Sequence, residues 1–197
     1  MSALMRASHM RSNLVALGQL SRAHERDVRA QVPEAVKAIN ASVRTAWLPI
    51  ELDVELSKAV ERVCGQQGFL HWCREAIYET TRGPLLGPIL TGLQRLGLGP
   101  RHALRRLPAG WNMIYRGCGT LHLLEESDEY ARIEVESVPS SMHGVYAQGI
   151  GAAFEAIITC VGAKNPDMGL QAVGESLRFD VTWRLESART SVRPAAG

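Results

Sequence analysis

The sequence predicts an α+β protein in which a helical layer packs on a four-stranded antiparallel sheet. In the first half of the 197 residues, apolar side chains recur every three or four positions, as in amphipathic helices. In the second half they alternate in two predicted hairpins, which are separated by one long helical pattern. A sheet with one apolar face has to be covered, so we expect the helices to pack on that face.

The first half contains a series of helical patterns with few breaks. Pro33 suits the first turn of one helix, and Gly65 is expected to end another. The predicted helices cover residues 32–48, 51–65, 68–83, 85–100 and 102–115.

The second half predicts a hairpin, a long helix and another hairpin. The last strand has the clearest alternation in the chain, and we expect Trp183 and Leu185 on its buried face. Ser140 or Ser141 is expected to cap the long helix. The predicted strands cover residues 119–124, 130–137, 169–173 and 177–185, and the long helix covers 143–163.

Composition and charge limit the classes of protein to consider. The predicted organisation is an N-terminal helical segment over 1–30, a single α+β domain over 31–186 and a disordered tail over 187–197. A net charge of +2 gives no reason to expect binding to nucleic acid or to an anionic membrane. No apolar run is long enough to span a bilayer, and the four cysteines show no repeated close spacing. We therefore expect a reduced cytoplasmic protein.

The stretch "VCGQQGFLHWC" brings three metal-ligating residue types close together in sequence. Cys64, His71 and Cys73 would supply three ligands, whereas structural zinc sites use four. On one helix, His71 and Cys73 would point about 200° apart. The favoured interpretation is two buried cysteines and a surface histidine, with a zinc site as the weaker alternative.

Three stretches, over residues 106–127, 146–165 and 173–183, together resemble a known superfamily. It comprises heme nitric-oxide-binding domains, vinyl-reductase-like sensor domains and Bet3-type vesicle-tethering subunits. The segment "RLPAGWNMIYRGCGTLHLLEES" resembles the run into the first hairpin in uncharacterised bacterial members. "YAQGIGAAFEAIITCVGAKN" and "VGESLRFDVTW" are similar to their closing helix and final strand. The resemblance covers residues 45–185 and implies the same fold and a hollow, ligand-enclosing interior.

Departures from the family pattern disfavour zinc and heme. Leu170 and Leu177 stand near the positions where related sensors carry zinc-binding cysteines. The heme-binding relatives use a Tyr-x-Ser-x-Arg clamp, but after Tyr130 this chain has Arg132 and Glu134 at the corresponding positions. His102 precedes the first hairpin in a Gly-Pro-rich stretch and not in the middle of a helix.

The preferred function is non-enzymatic: a sensor or regulatory domain that encloses a small apolar or aromatic ligand, expected to be a homodimer. An interaction or scaffold subunit with a filled core is the alternative. A cavity above about 300 Å³ would favour the ligand-binding hypothesis. No cofactor and no catalytic residue are assigned. The candidate ligand-binding residues are Trp111, Tyr115, His143, Tyr146, Phe154 and Glu155.

Overall fold

The computed structural model describes residues 2–83 and 87–185, apart from the side chains of residues 89, 90, 93 and 94. The tail predicted to be disordered lies outside the described residues. The helices are α1 (Ala7–Ala16), α2 (Arg22–Gln31), α3 (Pro33–Ala41), α4 (Glu51–Arg82), α5 (Gly87–Arg95), α6 (Pro100–Leu104), α7 (Leu107–Ile114) and α8 (Val145–Cys160). The strands are β1 (Leu4–Arg6), β2 (Trp47–Pro49), β3 (Tyr115–Arg116), β4 (Thr120–Glu126), β5 (Tyr130–Glu136), β6 (Lys164–Val173) and β7 (Ser176–Arg184).

The predicted four-stranded antiparallel sheet is confirmed, with strand order β4-β5-β7-β6. Its inner face is apolar because every second residue of β5 and β7 points inward. Trp183 is 3% exposed, as predicted, whereas Leu185 lies beyond the end of β7 and is 43% exposed. The two central strands bury Ala131, Ile133, Val135, Leu177, Phe179, Val181 and Trp183.

The long helix α8 packs between this sheet and α4, so it is buried on both sides. Small residues allow this close packing. A side chain at Gly149 would meet the Sγ atom of Cys73 at 3.0 Å, and one at Gly151 would meet Met168 at 3.2 Å. The prediction of a serine cap is wrong, because Gly144 occupies the N-cap position. Ser140 and Ser141 instead form a short 3-10 turn before the helix.

Helix α4 is kinked within its 32 residues. The prediction that Gly65 ends a helix is wrong. Gly65 instead bends α4, with a φ of 68° and a ψ of 175°. This combination lies in a backbone region that is essentially restricted to glycine. The two predicted helices on either side of Gly65 are therefore observed as two halves of α4.

A second, three-stranded sheet with the order β2-β1-β3 was not predicted. The helix predicted over 32–48 is wrong after Ala41, because the chain turns there and enters β2. The guanidinium groups of Arg6 and Arg116 both lie over the ring of Trp47, with their Cζ atoms 3.9 and 4.0 Å from the ring centroid. The predicted helix over 102–115 is observed as α6 and α7, and the one over 85–100 as α5, with residues 85 and 86 outside the described part.

The N-terminal residues belong to the same hydrophobic core as the rest of the chain. Met5, Met10 and Leu17 are at most 1% exposed and join the core cluster that includes α4 and α8. Of the helices described, none combines the length and the apolar character needed to cross a bilayer.

Candidate functional site

A partly open cavity of about 470 Å³ lies among the helices and reaches Leu121 on the inner side of β4. Its wall is almost entirely apolar. Helices α5, α6, α7 and α8 and Ile77 of α4 contribute to the wall, and Leu96 and Arg106 lie among its exposed residues. The lining residues of α7, β4 and α8 are Leu107, Ala109, Gly110, Trp111, Ile114, Leu121, Ile150, Ala153, Phe154 and Ile157.

Two stacked aromatic rings form one wall of this cavity. The ring centroids of Trp111 and Tyr115 are 4.1 Å apart. The indole Nε1 of Trp111 donates a hydrogen bond of 3.2 Å to the carbonyl of Gly119, which fixes the ring. Gly119 is required there, because a Cβ atom would come within 2.3 Å of the Glu136 carbonyl oxygen. The wall is therefore held in place before any ligand enters.

A smaller chamber of about 50 Å³ adjoins the apolar cavity. The two share His9, Ile77, Tyr115, Ile150 and Ala153 in their walls. The chamber differs in chemistry, because it adds polar side chains and further aromatic rings. Those additional residues are Asn13, Asp53, Ser57, Phe69, Trp72, Cys73 and Tyr146.

The carboxylate of Asp53 is the central polar group of the chamber and is 2% exposed. Its Oδ1 accepts a hydrogen bond of 2.7 Å from Nδ2 of Asn13, and its Oδ2 accepts one of 2.8 Å from the hydroxyl of Tyr146. Burial raises the pKa of Asp53 to about 6, although both hydrogen bonds act to lower it. Asp53 lies in the first turn of α4, where the helix dipole also favours its ionised form.

The other titratable groups of the chamber are neutral at physiological pH. Burial lowers the pKa of His9 to about 4, and its Nδ1 lies 3.2 Å from the hydroxyl oxygen of Thr80. Burial, together with the charge of Asp53, raises the pKa values of Cys73, Tyr115 and Tyr146. The ionised Asp53 therefore contributes the one formal charge on the chamber wall.

The structure brings four of the six predicted site residues together. Trp111, Tyr115 and Phe154 line the apolar cavity, and Tyr146 lines the chamber. The other two, His143 and Glu155, are absent from both walls. The carboxylate of Glu155 instead accepts two hydrogen bonds from Arg74, at 2.7 and 3.0 Å.

The three candidate zinc ligands do not converge. Cys64 lies just before the kink of α4 and is half-buried, His71 is exposed, and Cys73 is buried against the chamber. Across the described ranges, no three His, Cys, Asp or Glu residues form a group that could hold a metal ion.

The residues considered for heme lie away from the cavity. His102 lies in the middle of the short helix α6 (Pro100–Leu104), contrary to the prediction that it does not lie in the middle of a helix, and its side chain is exposed. Tyr130 and Arg132 point to the outer face of the sheet. There the Tyr130 hydroxyl and Arg132 Nε both donate to Oδ1 of Asp180, at 2.6 and 2.7 Å.

His9, Asn13, Asp53 and Ser57 are polar residues of the chamber that sequence reasoning missed. A signal existed for Asp53, because it shares a helical face with Ser57 and Val60, and Val60 belongs to the predicted apolar stripe. His9 and Asn13 gave a weaker signal, since polar residues four positions apart are typical of a solvated helix face.

The fold and its cavity define a class: α+β domains in which a helical layer and a four-stranded sheet enclose an interior site. Neither a protein-family model nor a curated protein matches the sequence. Solved structures do match, and they show that this chain has the H-NOX (heme nitric-oxide-binding) fold.

Three of these structures illustrate the similarity. The Fe(II) unliganded H-NOX protein from K. algicida has a TM-score of 0.63 at 7% identity, over 93% of this chain and 98% of its own. An oxygen-binding H-NOX domain related to soluble guanylate cyclases, solved as the oxygen complex, has a TM-score of 0.60 at 10% identity, over 91% and 95%. A Cs H-NOX mutant with the unnatural residue 4-cyano-L-phenylalanine also reaches 0.60, at 12% identity over 93% and 98%. The resemblance to the vinyl-reductase-like and Bet3-type branches stays a prediction.

Proposed function

We propose that this chain is a non-enzymatic sensor or regulatory domain that encloses a small apolar or aromatic ligand in the cavity between α7 and α8. The observation that carries the proposal is the preformed space of about 470 Å³ with an apolar wall. Its volume lies within the range of small-molecule sites, which is about 300–1,000 Å³. The solved H-NOX structures support the proposal, because they include an oxygen-binding domain with the same fold.

The alternative, an interaction subunit with a filled core, is less well supported. An interior without function would be close-packed, because unfilled space forfeits dispersion contacts. This cavity is instead bordered by a tryptophan ring held by its own hydrogen bond and by small residues such as Gly110 and Ala153. A pocket with rigid walls and small lining residues is typical of a site that receives a ligand.

The residues at the positions of the family's heme-binding pattern do not line the cavity, so the pattern gives no support for heme binding. A heme site needs an axial ligand on the cavity wall and basic partners for the propionates. His102 is exposed and lies outside the lining, and Arg132 is held by Asp180 and Glu125 on the outer face of the sheet. The cavity wall itself holds one imidazole, that of His9 from α1, and one guanidinium, that of the exposed Arg106, and neither stands at a position of the family pattern considered above.

A cavity-filling substitution tests the proposal. Ala153 lies where the cavity and the chamber meet, so Ala153→Trp should occupy the space and weaken binding of 1-methylnaphthalene by about tenfold or more. The matched control, Ala172→Trp, changes an exposed residue of β6 and should leave the affinity unchanged. Fluorescence titration gives both affinities. Equal binding by the two variants, or no binding by the unmodified protein, would contradict the proposal.

A hemin titration separates the proposal from heme binding. We expect no saturable, stoichiometric absorption band of an imidazole-ligated heme. If such a band appears, its loss in His9→Ala but not in His102→Ala would assign heme binding to the cavity, and the apolar-ligand proposal would be wrong.

A further inference from the structure

The chamber next to the apolar cavity is a polar site that the proposed function leaves unused. Asp53 is a buried carboxylate, yet the lining includes no lysine or arginine. Every ion pair found in the described ranges involves another carboxylate, so the charge of Asp53 is balanced by hydrogen bonds alone. A buried charge without a counter-charge is costly for a protein to retain.

Four aromatic side chains line the same chamber as this carboxylate. Phe69 and Trp72 come from α4, Tyr115 from β3 and Tyr146 from α8, and all four line the chamber. Their faces carry negative electrostatic potential, which attracts an organic cation and repels an anion. The lining thus combines one carboxylate and four aromatic residues with a neutral imidazole and no cationic side chain.

The size of the chamber restricts the group that enters. A volume of about 50 Å³ holds a few water molecules or the terminal group of a ligand, but not its body. The body would remain in the adjoining apolar cavity, which shares five wall residues with the chamber. The hydrogen bonds from Asn13 and Tyr146 occupy one position on each oxygen of Asp53, and each oxygen keeps a second lone pair for another donor.

We infer that the chamber binds the ammonium group of a primary amine whose apolar or aromatic body fills the larger cavity, with Asp53 as its counter-ion. This inference rests on the proposed function and specifies the chemical class of the ligand. The ammonium donates to Asp53 and lies against the rings of Tyr115 and Tyr146, so that binding supplies the cation that the fold lacks.

Three ligands with the same body and different head groups test the inference: 1-naphthylmethylamine, 1-naphthylmethanol and 1-methylnaphthalene. On the unmodified protein at neutral pH, we expect the amine to bind about tenfold or more tightly than the alcohol, because a hydrogen bond between two charged groups is stronger. Isothermal titration calorimetry gives the three affinities, and this comparison requires no variant.

The variant Asp53→Asn keeps the size of the side chain and removes its charge. It should lower the affinity for the amine by about tenfold or more and change the affinity for 1-methylnaphthalene less than about twofold. The control is Glu134→Gln, which removes a carboxylate paired with Arg178 on the outer face of the sheet and should change neither affinity.

The outcomes distinguish the inference from the proposed function. The inference is wrong if the amine binds no more tightly than the alcohol and the hydrocarbon, or if Asp53→Asn leaves the affinity for the amine unchanged. In either case, binding of the hydrocarbon would still support the proposed function. If none of the three ligands binds, the proposed function fails and the inference fails with it.

Discussion

The outer face of the sheet and the interior chamber hold their carboxylates in opposite ways. On the sheet, Asp180 accepts from the Tyr130 hydroxyl and from Arg132, and these contacts lower its pKa. In the chamber, Asp53 also accepts two hydrogen bonds, but both donors are neutral and burial raises its pKa to about 6. Two hydrogen bonds therefore do not offset the desolvation of the fully buried Asp53, whereas Asp180 is partly exposed and loses less hydration, so the bonds from Tyr130 and then Arg132 lower its pKa.

The largest expected effect comes from a carboxylate that is buried beneath the sheet without any hydrogen-bond or charge partner. Trp183 is buried at the end of β7, and Trp183→Asp would remove a large apolar side chain and bury a charge. We expect a loss of about 4 kcal/mol or more in the free energy of unfolding, enough to abolish the native fold. Circular dichroism during heating measures this effect. A soluble variant that unfolds cooperatively would contradict the burial of β7.

The second prediction concerns how stability depends on pH. Folding raises the pKa of Asp53 from 3.8 to about 6, so the contribution of Asp53 to the free energy of unfolding decreases as pH rises across this interval. Folding lowers the pKa of His9 from 6.5 to about 4, so the contribution of His9 decreases as pH falls across that interval. Each change amounts to about 3 kcal/mol, and the two oppose each other between about pH 4 and 6.

Single substitutions should reveal the two opposed contributions. In Asp53→Asn only His9 remains, so the free energy of unfolding should decrease, relative to the unmodified protein, as pH falls from about 6 to 4. In His9→Gln only Asp53 remains, so it should increase over the same interval. Urea unfolding at several pH values gives both slopes. Parallel slopes in the two variants would show that these groups do not titrate as their burial requires.

The smallest expected effect is on the outer face of the sheet. Asp180→Asn removes the charge that holds Tyr130 and Arg132, but these side chains are partly exposed and screened by water. We expect a loss of about 1 kcal/mol or less, which decreases further in high salt. If Asp180→Asn lost several kcal/mol in the free energy of unfolding, the outer face of the sheet would hold its carboxylate as a buried site does, and the contrast with the chamber would be wrong.

The sheet was the part most accessible to prediction from sequence. Strands β5 and β7 alternate cleanly because one face is buried and the other carries ion pairs, so the pattern reports the environment directly. Strands β1, β2 and β3 have two or three residues each, too few for an alternation to be seen. The bend at Gly65 was equally hidden, because glycine is compatible with both a helix end and a kink.

The candidate site was predicted in part. Aromatic residues before the first hairpin and on α8 indicated the apolar cavity, since large rings are expected where a ligand is enclosed. The chamber could not be predicted, because His9, Asp53 and Tyr115 are far apart in sequence and meet only through the packing of α1, α4 and β3.

The bend of α4 has a consequence for how such a site could be remodelled. The first half of the helix carries Asp53, and the second half carries Phe69, Trp72 and Ile77, so the separation between the charge and the rings depends on the backbone at Gly65. Any other residue at that position would strain a φ of 68° and favour a straighter helix. A substitution of Gly65, which is not part of the lining, should thus change the selectivity of the pocket while every lining residue stays the same.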